Sequence, residues 1–180
     1  MFGKISAFIL GLFGWKVEIA FEKFPKKYII AVVPHTSAWD FPIGILTRSI
    51  MQQKIKYVAK ASLFKFPLGG IMKVMGGVPV DRSKRNNFVD GVVDIFNERE
   101  QFAVCIAPEG TRTKVDKLKT GFYYMAKGAN IPILLCRFDY STRRVEIAKP
   151  FYTTDDMDAD MEYIENHFRG VPGRYPEYSF

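Results

Sequence analysis

His35 and Asp40 are the two side chains whose types and spacing are best suited to catalysis in this sequence. They lie in the segment VVPHTSAWDF, residues 32–41, where a β-branched apolar run ends at a proline. Imidazole is the natural general base near neutral pH, and a carboxylate that accepts a hydrogen bond from Nδ1–H fixes its tautomer. A turn of five residues between a strand and a helix can fold the carboxylate back onto the ring. The spacing therefore indicates a base with an orienting partner.

An alternative remains for this pair, in which Asp40 caps the following helix and His35 is an exposed loop residue.

The rest of the sequence limits the kinds of reaction that this pair could catalyse. It contains no Gly-x-Ser-x-Gly motif, and Ser37 lies too close to His35 to indicate a hydrolase nucleophile. A base without a protein nucleophile favours activation of the substrate's own hydroxyl group. Because the chain has neither a Cys-x-x-Cys pair nor clustered histidines, we predict no metal site.

Reactive side chains also follow three other segments that the pattern predicts to be strands. One ends at Lys60, a second leads into Arg82, and a third is followed by the segment PEGTR at 108–112. A single charged residue at a strand end is usually a solvated loop residue. Ligands gather at the carboxyl ends of strands in such sheets, so four exits of this kind, including that of His35, predict one shared site.

Strand and helix patterns alternate along the chain. A strand at 27–34, a helix at 39–53 and a strand at 54–60 begin this alternation, which continues to the last third of the sequence. Alternation of this kind is typical of an α/β fold with a mostly parallel sheet. We therefore predict one domain, 1–180, with a mixed, mostly parallel central sheet flanked by helices.

The last third of the chain supplies the mixed character of the predicted sheet. Strands at 131–140 and 143–152 are separated by a short turn and predict a hairpin. Asn86 or Asn87 is the expected cap of an amphipathic helix earlier in the chain. The tail at 169–180, with its glycines and prolines, is predicted to be loose.

The charge balance is basic and points to an acidic partner. Lys and Arg total 26 against 19 Asp and Glu, which gives a net charge of +7. No block of basic residues with interleaved aromatics is typical of a nucleic-acid module, so we expect no nucleic-acid partner. Lipid and phosphate ligands fit the composition better.

The first fifteen residues contain an apolar run, ISAFILGLFGW, of about eleven residues. Spanning a bilayer takes about 20, so the run is too short to cross one. Two interpretations remain: an ordinary core helix, or a helix at 1–15 lying in the membrane interface. In the second, the expected anchors are Phe2, Phe8, Phe13 and Trp15. Anionic headgroups would then face the nearby cluster of Lys23, Lys26 and Lys27.

Four segments, in order, resemble the motifs of the glycerolipid acyltransferases, the family of 1-acylglycerol-3-phosphate acyltransferases and related lysophospholipid enzymes. His35-Thr-Ser-Ala-Trp-Asp40 resembles their His-x-x-x-x-Asp motif. GGVPVDR at 76–82 resembles the second block, which ends in arginine, and APEGTR at 107–112 resembles the third. IPILL at 131–135 resembles the fourth, an apolar strand with an internal proline. The order and approximate spacing match as well as the motifs themselves.

The resemblance implies a glycerol-3-phosphate acyltransferase-like fold and transfer of a fatty acyl chain to a hydroxyl of a lysophospholipid, above all 1-acylglycerol-3-phosphate. The donor would be acyl-CoA or acyl carrier protein as co-substrate, with no bound cofactor. His35 would be the general base and Asp40 its partner. The acceptor's phosphate and glycerol would be bound by Lys60, Arg82, Glu109, Gly110, Thr111 and Arg112, with Lys60 the weaker match.

Such an enzyme is expected to be peripheral at the cytoplasmic face of a membrane, with a soluble fraction, and to contact an anionic membrane surface. Two rival functions are a protein that binds anionic phospholipid without turnover and a thioesterase that uses water as acceptor. The His35 and Asp40 pair argues against the first, because binding has no use for a base. Arg82 and Arg112 argue against the second, because they suit a phosphorylated acceptor.

Overall fold

A computed structural model describes residues 2–60, 65, 69–80 and 85–180 of the protein. Within this part of the chain a seven-stranded sheet has the order β1-β7-β6-β2-β5-β3-β4. The strands are β1 (Lys16–Ile19), β2 (Lys27–Val33), β3 (Ile55–Lys60), β4 (Gly77–Val80), β5 (Phe102–Ile106), β6 (Ile133–Asp139) and β7 (Arg144–Ile147). The helices are α1 (Phe2–Leu12), α2 (Asp40–Met51), α3 (Gly69–Val74), α4 (Arg85–Glu98), α5 (Gly121–Ala129) and α6 (Met157–Phe168).

The prediction of a mixed, mostly parallel sheet is confirmed. Strands β2, β5, β3 and β4 are neighbours and run parallel, and β6 runs parallel to β2 on its other side. The expected hairpin is also present, since β7 pairs antiparallel with β6. The carboxyl ends of β6, β2, β5, β3 and β4 therefore share one edge of the sheet, which we call the carboxyl edge.

Apolar side chains cover both faces of the central strands, which explains their continuous hydrophobic runs. On one face, Ile29 of β2 packs with Phe96 of α4 and Phe122 of α5. On the other face, Ile30 belongs to a cluster that includes Leu10 of α1. With both faces buried, the strands are fixed in register, and the groups at their ends are held by a packed frame.

Strand β1 was not predicted from the sequence. It has only four residues, and its partner β7 lies far along the chain, with Lys16 opposite Arg144 in parallel register. The expected cap at Asn86 or Asn87 is wrong, because α4 begins at Arg85 and both residues lie inside the helix.

The N-terminal segment combines features of both interpretations of the sequence. Helix α1 packs against α2 with Ser6 and Leu10 buried. Its opposite side leaves large apolar side chains exposed at Phe2, Ile5, Phe8, Leu12 and Phe13. The expectation that Trp15 is an interfacial anchor is wrong, since it is only 8% exposed and packs edge-on against Tyr140. Among the described residues, no helix is long and apolar enough to cross a membrane.

Candidate active site

The loop from Pro34 to Trp39 connects the carboxyl end of β2 to the start of α2 and brings His35 and Asp40 together. His35 Nδ1 lies 3.0 Å from Asp40 Oδ2, which also accepts a hydrogen bond from the backbone N–H of Ser37 at 2.9 Å. Because a carboxylate accepts hydrogen bonds, this contact favours the tautomer with the proton on Nδ1, which leaves Nε2 as the proton acceptor. The His35 side chain is 27% exposed and that of Asp40 only 3%.

The alternative role of Asp40 as a helix cap does not fit this geometry. Asp40 is the first residue of α2, the cap position is taken by Trp39, and no side chain caps the helix there. The Asp40 carboxylate instead accepts from Ser37, which precedes the helix, and faces the imidazole. The acidic side chain therefore organises the loop and the ring of His35.

Glu109, which follows β5, is hydrogen-bonded to the backbone of the same loop. Its Oε2 accepts a hydrogen bond from the backbone N–H of His35 at 2.7 Å, and the residue is 2% exposed. The pKa of Glu109 is raised to about 7, mainly by burial; the hydrogen bond from His35 works against this rise, and the nearby charge of Asp40 adds to it. The side chain of Glu109 is therefore buried against the loop and does not lie on the surface.

The segment after β5 forms a cationic surface next to the His35 loop. Gly110 has a φ of +66°, and a Cβ there would collide with Lys119 Nζ, so the lysine side chain lies directly over this glycine. Thr111 Oγ1 lies 3.0 Å from Thr113 Oγ1, and Arg112 is exposed to solvent. Lys119 could not be predicted from the sequence, since nothing in its spacing distinguishes it from other surface lysines.

Of two further predicted site residues, the structure describes only the backbone of one and nothing of the other. Lys60 ends β3 in register with Val80 of β4, which puts its backbone at the carboxyl edge. Its side chain lies outside the described part of the chain, and so does all of Arg82. The strand order nevertheless makes β2, β5, β3 and β4 consecutive neighbours, as a shared site at their ends requires.

Tyr140 is a site residue that the sequence analysis did not find. Its hydroxyl donates a hydrogen bond to Asp40 Oδ1 at 2.5 Å, across a separation of 100 residues. Burial, and then the hydrogen bond and charge of Asp40, raise the pKa of Tyr140 above its ordinary value, so the hydroxyl stays protonated. Both Asp40 oxygens therefore have donors. The only sequence signal was an aromatic residue at the end of a predicted strand.

The 169–180 tail, predicted to be loose, is ordered against the His35 loop. The backbone N–H of Tyr175 donates to Thr36 Oγ1 at 3.3 Å, and that of Tyr140 donates to the carbonyl of Pro172 at 3.0 Å. Gly173 packs so closely that a Cβ there would lie 2.5 Å from Thr36 Oγ1. The prediction was wrong because these contacts join distant parts of the chain.

Comparison with known proteins finds a matching family model and a crystal structure of similar fold. The family model described as Acyltransferase matches residues 16–138, which include the His35 loop and the segment after β5 but not Tyr140 or the tail. No curated protein matches the sequence significantly. The fold is similar to the crystal structure of the 1-acyl-sn-glycerophosphate (LPA) acyltransferase, PlsC, from Thermotoga maritima, with a TM-score of 0.63 and 16% sequence identity. That similarity covers 92% of this chain and 74% of the other.

Proposed function

This chain belongs to the Acyltransferase family, and we propose that it moves a fatty acyl group from a thioester to a hydroxyl of a lysophospholipid. The acceptor we favour is 1-acylglycerol-3-phosphate, the substrate class for which the similar crystal structure is named. The observation that carries the proposal is the hydrogen bond between His35 and Asp40 at a strand exit within the matched region. An oriented base of this kind is needed for turnover and has no use in lipid binding alone.

In the proposed reaction, Nε2 of His35 accepts the proton of the acceptor hydroxyl while the freed oxygen attacks the thioester carbonyl carbon. The Nδ1–H group of His35 continues to donate its hydrogen bond to Asp40, whose negative charge stabilises the imidazolium. The tetrahedral intermediate collapses as the C–S bond breaks, and the proton on Nε2 passes to the departing sulfur. The products are an ester and a free thiol, and the histidine is again neutral. A general base in such a step contributes about 10²–10⁴ in rate.

The acceptor's phosphate is proposed to lie over the segment after β5. Arg112 is exposed there, and a guanidinium grips a phosphate with two parallel hydrogen bonds. Lys119 adds a second positive charge over Gly110, whose missing side chain leaves room for the lysine. The hydroxyl of Thr111 suits the acceptor's glycerol. This surface borders the His35 loop, so a bound lysolipid would present its hydroxyl to Nε2.

The remaining predicted residues have different proposed roles. Lys60 and Arg82 are proposed to supply further cationic contacts from the neighbouring strands. Glu109 is proposed to position the His35 loop, since its carboxylate is buried against the backbone N–H of His35. Direct contact between Glu109 and the acceptor would first require this side chain, which is 2% exposed, to become accessible.

The donor is proposed to be acyl-CoA or acyl carrier protein, with no bound cofactor or metal and no nucleic-acid partner. Both donors are acidic, which suits a chain with a net charge of +7. The proposed location is peripheral, at the cytoplasmic face of a membrane, with a soluble fraction. The exposed apolar side of α1 supports this location, because it carries Phe2 at 76% and Phe8 at 67% exposure.

The test is to incubate the purified protein with a panel of lysolipids and each thioester donor, then measure ester products by mass spectrometry and free thiol in parallel. We expect ester and thiol in equal amounts with a phosphorylated lysolipid, and neither with the His35→Ala variant. Thiol release without ester would instead identify a thioesterase. Vesicle binding with neither product would identify a non-catalytic lipid-binding protein, and either result would contradict the proposal.

A further inference from the structure

A cleft of about 680 Å³ lies where β6 ends and β7 begins, on the side of β2 away from β5. We call it the tail groove, because the 169–180 tail forms one wall. The opposite wall is apolar and comes from Leu12, Phe13 and Trp15 at the end of α1. Tyr140 and Arg143 form its floor, and Arg174 extends from the tail. The volume falls in the range of about 300–1,000 Å³ typical of small-molecule sites.

The tail groove carries two positive charges without carboxylate partners among the described residues. The Arg143 guanidinium donates to the backbone carbonyl of Phe13 at 3.0 Å. The Arg174 guanidinium lies 5.7 Å from the ring centroid of Trp39, the residue before Asp40. Other surface arginines do form ion pairs, such as Arg144 with Glu18 at 2.7 Å. Two unpaired guanidiniums beside an apolar wall suit a ligand that joins a phosphate to a long, weakly polar chain.

The tail groove is also linked to the proposed base through a chain of hydrogen bonds. Tyr140 contributes to its floor and donates a hydrogen bond to Asp40, which in turn holds the ring of His35. In the sheet order β7-β6-β2-β5, the groove lies at the β6 end and the proposed acceptor surface at the β5 end. His35 at the end of β2 therefore sits between two cationic regions.

Acyl transfer to a lysophospholipid has two substrates that both carry phosphate, and one region is available for each. We propose that the tail groove binds the phosphopantetheine arm shared by acyl-CoA and acyl carrier protein, with Arg143 and Arg174 contacting its phosphate. The arm runs along the apolar wall and brings the thioester to His35 from the side opposite the acceptor. This inference rests on the proposed acyl transfer and assigns the donor to residues beyond the matched family region.

The test separates the Michaelis constants of the two substrates in the Arg174→Gln variant. We expect the KM for both acyl donors to rise about tenfold or more, as the loss of one charge-assisted hydrogen bond predicts, and the KM for the lysolipid to change less than about twofold. Arg112→Lys should give the opposite pattern. Lys149→Gln is the matched control, since it removes the same charge from an exposed position beyond β7, toward the opposite edge of the sheet.

A binding measurement tests the groove independently of turnover. The chain has two tryptophans, Trp15 in the groove wall and Trp39 beside Arg174. In a Trp39→Phe background, titration with coenzyme A should change the fluorescence of Trp15 saturably. Adding Arg174→Gln should weaken the apparent affinity about tenfold.

Two results would overturn the donor site. One is a lysolipid KM that rises in Arg174→Gln while the donor KM stays at the wild-type value. The other is a coenzyme A affinity that is absent or unchanged by the substitution. The two proposals fail separately. If the wild type makes no ester, acyl transfer to a lysolipid fails, whereas an active enzyme whose donor KM does not depend on Arg174 rejects only the groove.

Discussion

At the scale of single residues, His35 is held from two directions. Asp40 fixes its ring through Nδ1, and Glu109 fixes its backbone through the N–H group. Tyr140 and the backbone of Ser37 in turn hold the Asp40 carboxylate. A base positioned by hydrogen bonds before substrate arrives needs little reorganisation during the reaction, which is how a fixed polar environment lowers a barrier.

Tyr140→Phe should lower kcat by about tenfold while leaving the KM for the lysolipid near wild type, because it removes one hydrogen bond to a charged group. Without that donor the Asp40 charge interacts more strongly with the imidazolium, so the acid limb of the pH–rate profile should move to higher pH. Tyr152→Phe, at a residue that is 58% exposed, is the control and should change neither. A loss of stability with an unshifted pH profile would show that Tyr140 is only structural.

Glu109→Gln should remove a pH dependence of stability. The folded-state pKa of about 7 exceeds the ordinary 4.5, so folding binds a proton and the unfolding free energy of the wild type falls as pH rises between these values. The amide of the variant does not ionise, so its unfolding free energy does not fall in this way. It can still accept a hydrogen bond from the N–H of His35. In chemical denaturation, we expect the unfolding free energy of the variant relative to that of the wild type to rise by about 2–3 kcal/mol from about pH 5 to about pH 8. The same difference at both pH values would contradict the buried, raised carboxyl.

At the scale of elements, the sequence predicted those features that depend on neighbouring residues. The strand that ends before His35 and the one that ends before Glu109 each have a continuous apolar run, and parallel pairing brings their ends together. Lys119 was missed because nothing in its spacing distinguishes it from other surface lysines, and Tyr140 because its partner Asp40 lies 100 residues away in the chain. Strand β1 was missed for the same reason, since four residues become a strand only through pairing with β7.

The 169–180 tail shows most clearly how tertiary contacts override composition. Its glycines and prolines are typical of a loose end. Gly173, however, is buried against Thr36, and the carbonyl of Pro172 accepts from Tyr140. A residue that composition marks as flexible here allows a close approach between the tail and the His35 loop.

Gly173→Ala should therefore destabilise the protein and disturb the loop. A methyl group placed 2.5 Å from Thr36 Oγ1 cannot be accommodated without a shift of the tail, and overpacking of this kind typically costs about 1–3 kcal/mol. Thermal unfolding and kcat should both fall. Gly91→Ala in α4 is the control, since nothing lies within 4 Å of its Cβ, and it should stabilise the helix by about 0.5–1 kcal/mol. Equal stability of the two variants would contradict the close packing of the tail.

At the scale of the whole molecule, the two sides of the sheet differ in what they present to solvent. Helices α4, α5 and α6 cover one face, while α1 and α2 cover the other. The outer side of α1 leaves an apolar stripe exposed, and the chain carries a net charge of +7. A basic protein with one exposed apolar helix face suits attachment to an anionic membrane surface.

Membrane attachment should depend on exposed side chains of α1 that do not support the core. Phe2→Ser and Phe8→Ser should each weaken binding to anionic vesicles about tenfold or more in a flotation assay, as expected for loss of one buried phenylalanine. Added salt should weaken binding further by screening the basic residues. Tyr163→Ser on α6, which is 55% exposed, is the control. Undiminished flotation of the double variant would place the attachment surface elsewhere. Deletion of residues 1–15 is less informative, because it removes Leu10 and Trp15 from the core.

The most direct test of the central claim is the single-turnover rate of acyl transfer to a phosphorylated lysolipid in Asp40→Asn and His35→Ala. Asn has nearly the same volume as Asp, and the smaller Ala replaces a histidine that is only partly buried. Both variants should therefore fold, and their circular dichroism spectra should match that of the wild type. We predict that each lowers the rate by about 10²–10⁴ without changing lysolipid affinity, because each removes or misorients the proton acceptor. A rate above half of wild type in either folded variant would contradict His35 as the general base oriented by Asp40.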